Sequence, residues 1–131
     1  MDTNLLLRIS IRILSVLLGL VFVIAGTSKL AGMEATVETF TRFGYPIWFL
    51  YVVGFIEFVG GAGMVIQPVT RFAALLLFPI MLGAIGTHLL HDPIEAMLPS
   101  FVLLILIEIV AWFYWIREPQ LHAQAGRSVD A

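Results

Sequence analysis

The sequence predicts an all-α integral membrane protein, a four-helix bundle whose spans run up-down-up-down. Of its 131 residues, 60% are hydrophobic and 12% are charged, which is about half the charged fraction of an ordinary globular domain. Four apolar stretches are each about as long as the ~18 residues that cross the hydrocarbon core of a bilayer as a helix. Together they use nearly the whole chain, so we expect a single membrane domain over residues 1–118.

Charge and cysteine content exclude several classes of function. The formal net charge of −2 provides no basic surface for nucleic acid, so we expect no nucleic-acid partner. The chain has no cysteine, which excludes disulfides, thiolate metal sites and thiol redox chemistry. Any electron transfer would therefore need a bound cofactor or a partner protein.

The first predicted span covers about residues 11–30 and follows two arginines, Arg8 and Arg12. Basic residues before a short apolar core also describe a secretory signal peptide. Three further spans favour a retained first helix, because removing it would leave its hairpin partner unpaired. In residues 33–43, Thr, Val and Phe recur periodically among the charged side chains. This pattern indicates a short helix at the membrane interface, which the following Gly-Tyr-Pro sequence ends.

The second predicted span covers about residues 48–66 and carries one carboxylate, Glu57, at its centre. An ionisable side chain at this depth costs roughly 2.5–3.5 kcal/mol on insertion scales. We therefore expect Glu57 to face other helices or a wet cavity and not lipid. Glu57 is either a structural carboxyl that ties helices together or a proton relay or ligand-binding carboxylate.

The third span is predicted at about residues 72–90, with Pro79 inside it, and the fourth at about residues 97–116. Proline commonly kinks a membrane helix and is tolerated where neighbouring groups cover the freed backbone. Residues 119–131 are small and polar, and we expect them to form a disordered cytoplasmic tail.

Basic residues set the expected orientation. Five arginines fall on the side of the chain termini, and only Lys29 and Arg42 fall on the other side. We therefore expect a multi-pass protein with both termini in the cytoplasm.

A second carboxylate, Glu108, stands in the fourth span at a depth similar to that of Glu57. The sequence around it, Ile-Glu-Ile-Val-Ala, echoes Ile-Glu-Phe-Val-Gly around Glu57, as in a parallel repeat of two hairpins. Glu108 has the same two interpretations, either a buried structural group or part of a proton or ligand path.

Three basic or titratable residues complete the candidates. Lys29 at the end of the first span is either an interfacial lysine whose ammonium reaches the headgroups or the ion-pair partner of Glu57. His88 either caps its helix or belongs to a polar site; a metal site is conceivable, but the ligand spacing is not dependable, so no metal is assigned. Arg71 is interpreted first as a topology determinant. No nucleophile–base pair is evident, so no catalytic residue is assigned.

Several short motifs, in this order and spacing, resemble the DoxX-like family of small four-helix bacterial membrane proteins. The similarity covers about residues 12–115, and its motifs are Gly26-Thr27-Ser28-Lys29-Leu30, Phe43-Gly44-Tyr45-Pro46, Gly54-Phe55-Ile56-Glu57, Arg71 with Ala73-Ala74, and Met81-Leu82-Gly83-Ala84 before His88. The resemblance implies a location in the bacterial inner membrane and an association with redox physiology, including quinone-dependent systems. Lys29, Glu57, Arg71 and His88 match the polar positions of the family.

Three functions are compatible with these observations. The first is an accessory or ligand-binding subunit of a membrane redox system, holding a quinone or a similar apolar ligand near Lys29, Glu57 and His88. The second is a transporter for protons or a small solute that uses both carboxylates, for which so small a chain would have to form a homo-oligomer. The third is a non-catalytic scaffold that binds another membrane or redox protein through its glycine faces. The choice between an enzyme and a binding protein is open at this point.

Overall fold

A computed structural model describes residues 2–129, and this part of the chain is helical with no strand. In chain order the helices are α1 (Thr3–Leu30), α2 (Glu34–Arg42), α3 (Ile47–Val65), α4 (Thr70–His91), α5 (Leu98–Trp112) and α6 (Glu118–Val129). Short 3₁₀ turns precede α4 (Gln67–Val69) and α5 (Ile94–Met97), and a π-helical turn joins α5 to α6 (Phe113–Arg117).

Four helical stretches are long and apolar enough to cross a membrane, which confirms the predicted all-α membrane bundle. They are Thr3–Leu30, Ile47–Val65, Gln67–His91 and Ile94–Arg127. The chain therefore crosses four times, and its described first and last residues lie at the same end of the bundle. We call this the terminal end, and the opposite end, which carries α2, the α2 end.

The helices close into a four-sided bundle. α1 packs along α3, α3 along α4 and α4 along α5, and contacts between α5 and α1 complete the ring. The core between them consists of large apolar side chains that are almost completely buried, among them Phe22, Met64, Leu77, Ile107 and Phe113. Each helix thus buries one face toward its neighbours and leaves the other for the hydrocarbon of the bilayer.

Both ends of the chain are more helical than the sequence predicted. α1 begins at Thr3, where the side chain of Asp2 accepts a hydrogen bond from the backbone N–H of Asn4, and not near residue 11. α6 continues to Val129, through most of the expected disordered tail, of which residues 130–131 lie outside the described part. Pro119 lies just after the π-helical turn that ends at Arg117, where the helix already departs from the regular i to i−4 hydrogen-bond pattern, and Leu121 is buried.

Side chains of α1 and α4 donate hydrogen bonds to the carbonyl groups at the C-terminus of α3. Ser15 Oγ donates to the carbonyl of Met64 at 2.6 Å, Arg12 donates to the carbonyl of Val65, and Thr70 Oγ1 donates to the carbonyl of Ile66 at 3.1 Å. The last carbonyls of a helix have no partner within that helix and are costly to bury unpaired. These side chains therefore allow the turn between α3 and α4 to sit close to the apolar core.

The short helix α2 closes one end of the bundle. It occupies the segment predicted to lie at the interface and packs against the adjoining ends of α1 and α3. Gly32 and Gly44 flank it with φ angles of 62° and 79°, which are left-handed conformations that glycine adopts without strain. The two turns fold α2 back across the ends of the spans.

Candidate functional site

A largely buried ion pair joins the first two spans. Lys29 Nζ lies 2.7 Å from Glu57 Oε2, and the exposed fractions of the two side chains are 15% and 6%. Glu57 stands in the middle of α3 and faces the bundle interior, as we expected for a carboxylate at this depth. Of the two interpretations of Lys29, the ion pair is the arrangement found.

Gly54 permits this contact. It lies almost one turn before Glu57 on the face of α3 that meets α1, and a β-carbon built there would lie 2.7 Å from Lys29 Cβ. Any larger residue would push the lysine stem away from α3. The small residue and the charge pair are therefore parts of one local arrangement, in which Lys29 bends inward instead of extending to the headgroups.

The ion pair lines a cavity of about 540 Å³ at the α2 end, between the four spans and beneath α2. Most of its wall is apolar, with aromatic rings from Phe22, Phe40, Phe43, Tyr45 and Phe49. Its polar groups come from five different elements and are Lys29, Thr36, Thr39, Glu57, Thr87, His88 and Ser100. A largely apolar pocket of this size with a few convergent polar groups is the usual form of a small-molecule site.

Two polar links hold the α2 segment over this cavity. The hydroxyls of Tyr45 and Thr87 lie 2.8 Å apart, and Arg42 at the end of α2 forms an ion pair with Asp92 at the end of α4. His88 Nδ1 lies 2.7 Å from the other oxygen of Asp92. The hydrogen bond from Arg42, reinforced by that from His88, lowers the pKa of Asp92 below its ordinary value, so Asp92 accepts from both as a carboxylate.

Three of the five candidate residues from the sequence line this cavity, namely Lys29, Glu57 and His88. The other two lie elsewhere. Glu108 is exposed on the outer surface of α5, and within residues 2–129 it makes no hydrogen bond or ion pair. The two hairpins therefore differ at their matching carboxylates, since Glu57 is buried and Glu108 is not.

Arg71 lies at the terminal end, away from the cavity. Its guanidinium stacks on the rings of Phe72 and Trp115, 4.9 Å from each centroid. It lines a second, smaller cavity of about 350 Å³ together with Gln67, Pro68, Tyr114 and Glu118. Cation–π contacts of this kind fix the side chain where α4 begins.

Tyr45, Thr87, Arg42 and Asp92 are not among the candidate residues predicted from the sequence. The glycines on both sides of the interfacial segment could have indicated this arrangement. Two tight turns on either side of an amphipathic helix fold that helix back over the end of the bundle. Within the described residues, no cluster of three or more His, Asp or Glu side chains could hold a metal ion.

Comparison with known proteins agrees with the resemblance drawn from the motifs. The sequence profile of the DoxX-like family matches residues 13–110, which include all five candidate residues. "Putative oxidoreductase CatD" of Bacillus subtilis (strain 168) is 35% identical over 86 residues, or 66% of this chain and 64% of that protein.

A second Bacillus subtilis (strain 168) protein, "Uncharacterized protein YdgD", is 35% identical over 74 residues, or 53% of this chain and 65% of that protein. The chain thus spans slightly less than two thirds of the length of both relatives. No solved structure matches the chain.

Proposed function

This chain belongs to the DoxX-like family, and we propose that it is a ligand-binding accessory subunit of a membrane redox system. In this proposal the cavity beneath α2 holds a quinone or a similar apolar ligand with a flat, polar head. The observation that carries the proposal is that Lys29, Glu57 and His88, on three different helices, line one cavity with an aromatic wall.

The chemistry of the cavity suits a quinone head group. Lys29 has three N–H donors and uses one of them on Glu57, so the others can donate to a ligand carbonyl. Thr87 and His88 add polar groups from α4, and the rings of Phe22 and Phe49 offer surfaces against which a flat ring can pack. A carboxylate next to the lysine provides a group that can exchange a proton with a reduced ligand.

The relatives add support for a redox role. One of them bears the name of an oxidoreductase, although this chain itself has no cysteine. The proposal therefore assigns electron transfer to the ligand and to a partner redox protein, and assigns this chain the binding and orientation of the ligand. It assigns no catalytic residue.

We also propose that the protein resides in the bacterial inner membrane with both termini in the cytoplasm. The five arginines on that side are Arg8, Arg12, Arg71, Arg117 and Arg127, against Lys29 and Arg42 at the α2 end. By the positive-inside rule the α2 end then faces outward. The cavity would open near the outer leaflet, where a lipid-soluble ligand is available.

The geometry favours this proposal over the two alternatives. A path for protons or solutes through both carboxylates is not supported, because Glu57 faces the interior and Glu108 the outer surface. The glycines that a scaffold would use for a partner are already occupied, since Gly19 and Gly26 of α1 contact Gly61 and Gly54 of α3.

The test uses two glycines of α4, of which one lines the cavity and the other does not. A β-carbon on Gly83 or on Gly86 would meet no atom within 4 Å, but Gly83 lines the cavity and Gly86 does not. Gly83→Phe should therefore place a ring at the cavity, and Gly86→Phe is its control.

Binding of decylubiquinone and of a menaquinone analogue to the full chain in lipid nanodiscs would be measured by equilibrium dialysis, with empty nanodiscs as the blank. We expect at least ~10-fold weaker binding to Gly83→Phe than to Gly86→Phe, because the ring at position 83 occupies space that the ligand needs. A tenfold change in affinity corresponds to about 1.4 kcal/mol. Binding to the protein no greater than to empty nanodiscs, or equal binding by both variants, would overturn the proposal.

A further inference from the structure

Glu108 is a carboxylate exposed on the lipid-facing side of α5, where its position is energetically unfavourable, and it does not line the cavity. It lies ten residues after Leu98, the first residue of α5, which at ~1.5 Å per residue is about half the thickness of the hydrocarbon core. Its neighbours on the same helix face are apolar and exposed, namely Phe101, Ile105 and Trp112. Lipid tails offer a carboxyl group no hydrogen-bond partner, so a side chain in this position should find one on another protein.

A second copy of this chain would supply such a partner at the correct depth. Two copies related by a two-fold axis along the membrane normal present the same face to each other, because a two-fold interface joins identical patches. Glu108 of one copy then meets Glu108 of the other at the same height. Two carboxyl groups that share at least one proton are self-complementary, since one donates and the other accepts.

We propose that the face of α5 around Glu108 is a homodimer interface in which the two Glu108 carboxyl groups form a hydrogen-bonded pair. Exposed rings and branched side chains above and below it, Phe101, Ile105 and Trp112, provide the surrounding packing. Interhelical hydrogen bonds between polar side chains are a known driving force for association of membrane helices. This interface lies on the outer surface of α5 and is independent of the ligand proposed for the cavity.

The absence of cysteine from the sequence makes the test direct, because any single cysteine introduced reports on one position alone. Ile105→Cys places a thiol on the proposed interface, at a residue that is 44% exposed. Ile24→Cys is the control on α1, on a different outer face and at a similar distance from the α2 end, where Ile24 is 70% exposed. Native membranes that contain the full chain would be oxidised with copper phenanthroline.

We expect a disulfide-linked dimer with Ile105→Cys and little with Ile24→Cys. Adding Glu108→Leu to Ile105→Cys should remove most of the dimer, whereas Glu108→Gln should keep it, because an amide also donates and accepts. In proteoliposomes, energy transfer between labelled copies should show association of Glu108→Leu weakened by roughly 5- to 30-fold, as expected for one lost interhelical hydrogen bond.

Several outcomes would overturn the interface. These are equal dimer from both cysteine positions, no dimer from Ile105→Cys, and unchanged dimer after Glu108→Leu. A cross-link from Ile105→Cys only to a different protein would show that the face binds another partner instead of a second copy. Glu108 makes no bond within the described chain, so Glu108→Leu should fold. If it does not, the comparison of the two cysteine positions decides the question alone.

Discussion

A β-carbon built on Gly26 would lie 2.6 Å from the carbonyl oxygen of Gly54, and one built on Gly54 would lie 3.1 Å from the carbonyl oxygen of Gly26. The backbones of α1 and α3 therefore touch directly at this level. The contact recurs two turns deeper between Gly19 and Gly61. Such close approach is how helices associate strongly in lipid, where apolar side chains alone give little preference for one another.

Gly26→Ala should destabilise the bundle, because the added methyl would meet the backbone of α3, which cannot rotate away. We expect a loss of about 1–3 kcal/mol in the free energy of unfolding, the usual cost of overpacking. Gly86→Ala is the control, since a β-carbon there meets open space and alanine favours the helix. Unfolding by SDS in mixed micelles would measure both, and equal stability of the two variants would contradict the close contact.

Lys29 and Glu57 should show strong energetic coupling. Removing either charge leaves the other buried without its partner, and this costs about 3–5 kcal/mol in protein interiors. We expect Lys29→Met and Glu57→Leu each to be less stable than the double variant, which buries no charge. A double-mutant cycle of unfolding free energies would measure the coupling. Additive losses in the double variant would show that the two groups do not act as a pair.

Ser15→Ala should weaken the C-terminus of α3. Ser15 is completely buried, and its hydroxyl donates to the carbonyl of Met64 at 2.6 Å. Thr70 Oγ1 also donates to this carbonyl at 3.3 Å, so Ser15→Ala should cost about 0.5–1.5 kcal/mol, the net value of one hydrogen bond. Thr70→Val, which removes the hydroxyl that donates to the carbonyls of Ile66 and Met64, should have an effect of similar size. Ser28→Ala provides a comparison, because the Ser28 hydroxyl donates only to the Ala25 carbonyl of its own helix, and it should change the unfolding free energy by less than either.

The link between Arg42 and Asp92 should depend on pH. Because Asp92 has a lowered pKa in the folded protein, the unfolded chain binds its proton more readily, and stability rises with pH in that range. The contribution is complete above the ordinary aspartate pKa of about 3.9. It is lost as the pH falls through the lower folded value.

The measurement is the thermal midpoint of the wild type and of Asp92→Asn as a function of pH. The wild type should be the more stable of the two at neutral pH, and the difference should disappear in strong acid. Glu38 of α2 also interacts electrostatically with Arg42, but it is present in both proteins and cancels in the difference. A constant difference from neutral to acid pH would show that Asp92 does not act as a charged acceptor.

The sequence predicts the fold well because the hydrocarbon of a bilayer permits few kinds of backbone structure. An apolar run that crosses hydrocarbon must be helical to satisfy its backbone, so four runs predict four helices. The depth of Glu57 likewise predicts that it faces inward. Secondary structure near the ends of the spans was harder to predict. Pro119 and the polar residues after it are also typical of a disordered tail. The helix there is favoured only by tertiary contacts, such as the burial of Leu121.

Part of the site was predictable because the membrane also restricts which side chains occur within the spans. Lys29, Glu57 and His88 stand out because charged and titratable groups are rare within the spans. Tyr45 and Thr87 do not stand out, since a tyrosine at the interface and a threonine in a helix are common. Their contact depends on the turn at Gly44, which returns the chain over the bundle. α5 has apolar residues on all sides, so its sequence does not show which face turns toward the bundle. The sequence therefore could not predict whether Glu108 faces inward or outward.

The position of the ion pair in the chain bears on biosynthesis. Lys29 and Glu57 belong to consecutive spans, so the first hairpin brings its own counter-charge to the carboxylate. The pair can form as soon as that hairpin enters the bilayer, before α4 and α5 have left the ribosome. The energetic penalty of a Glu57 carboxylate without its counter-charge is thereby confined to the earliest stage of membrane integration.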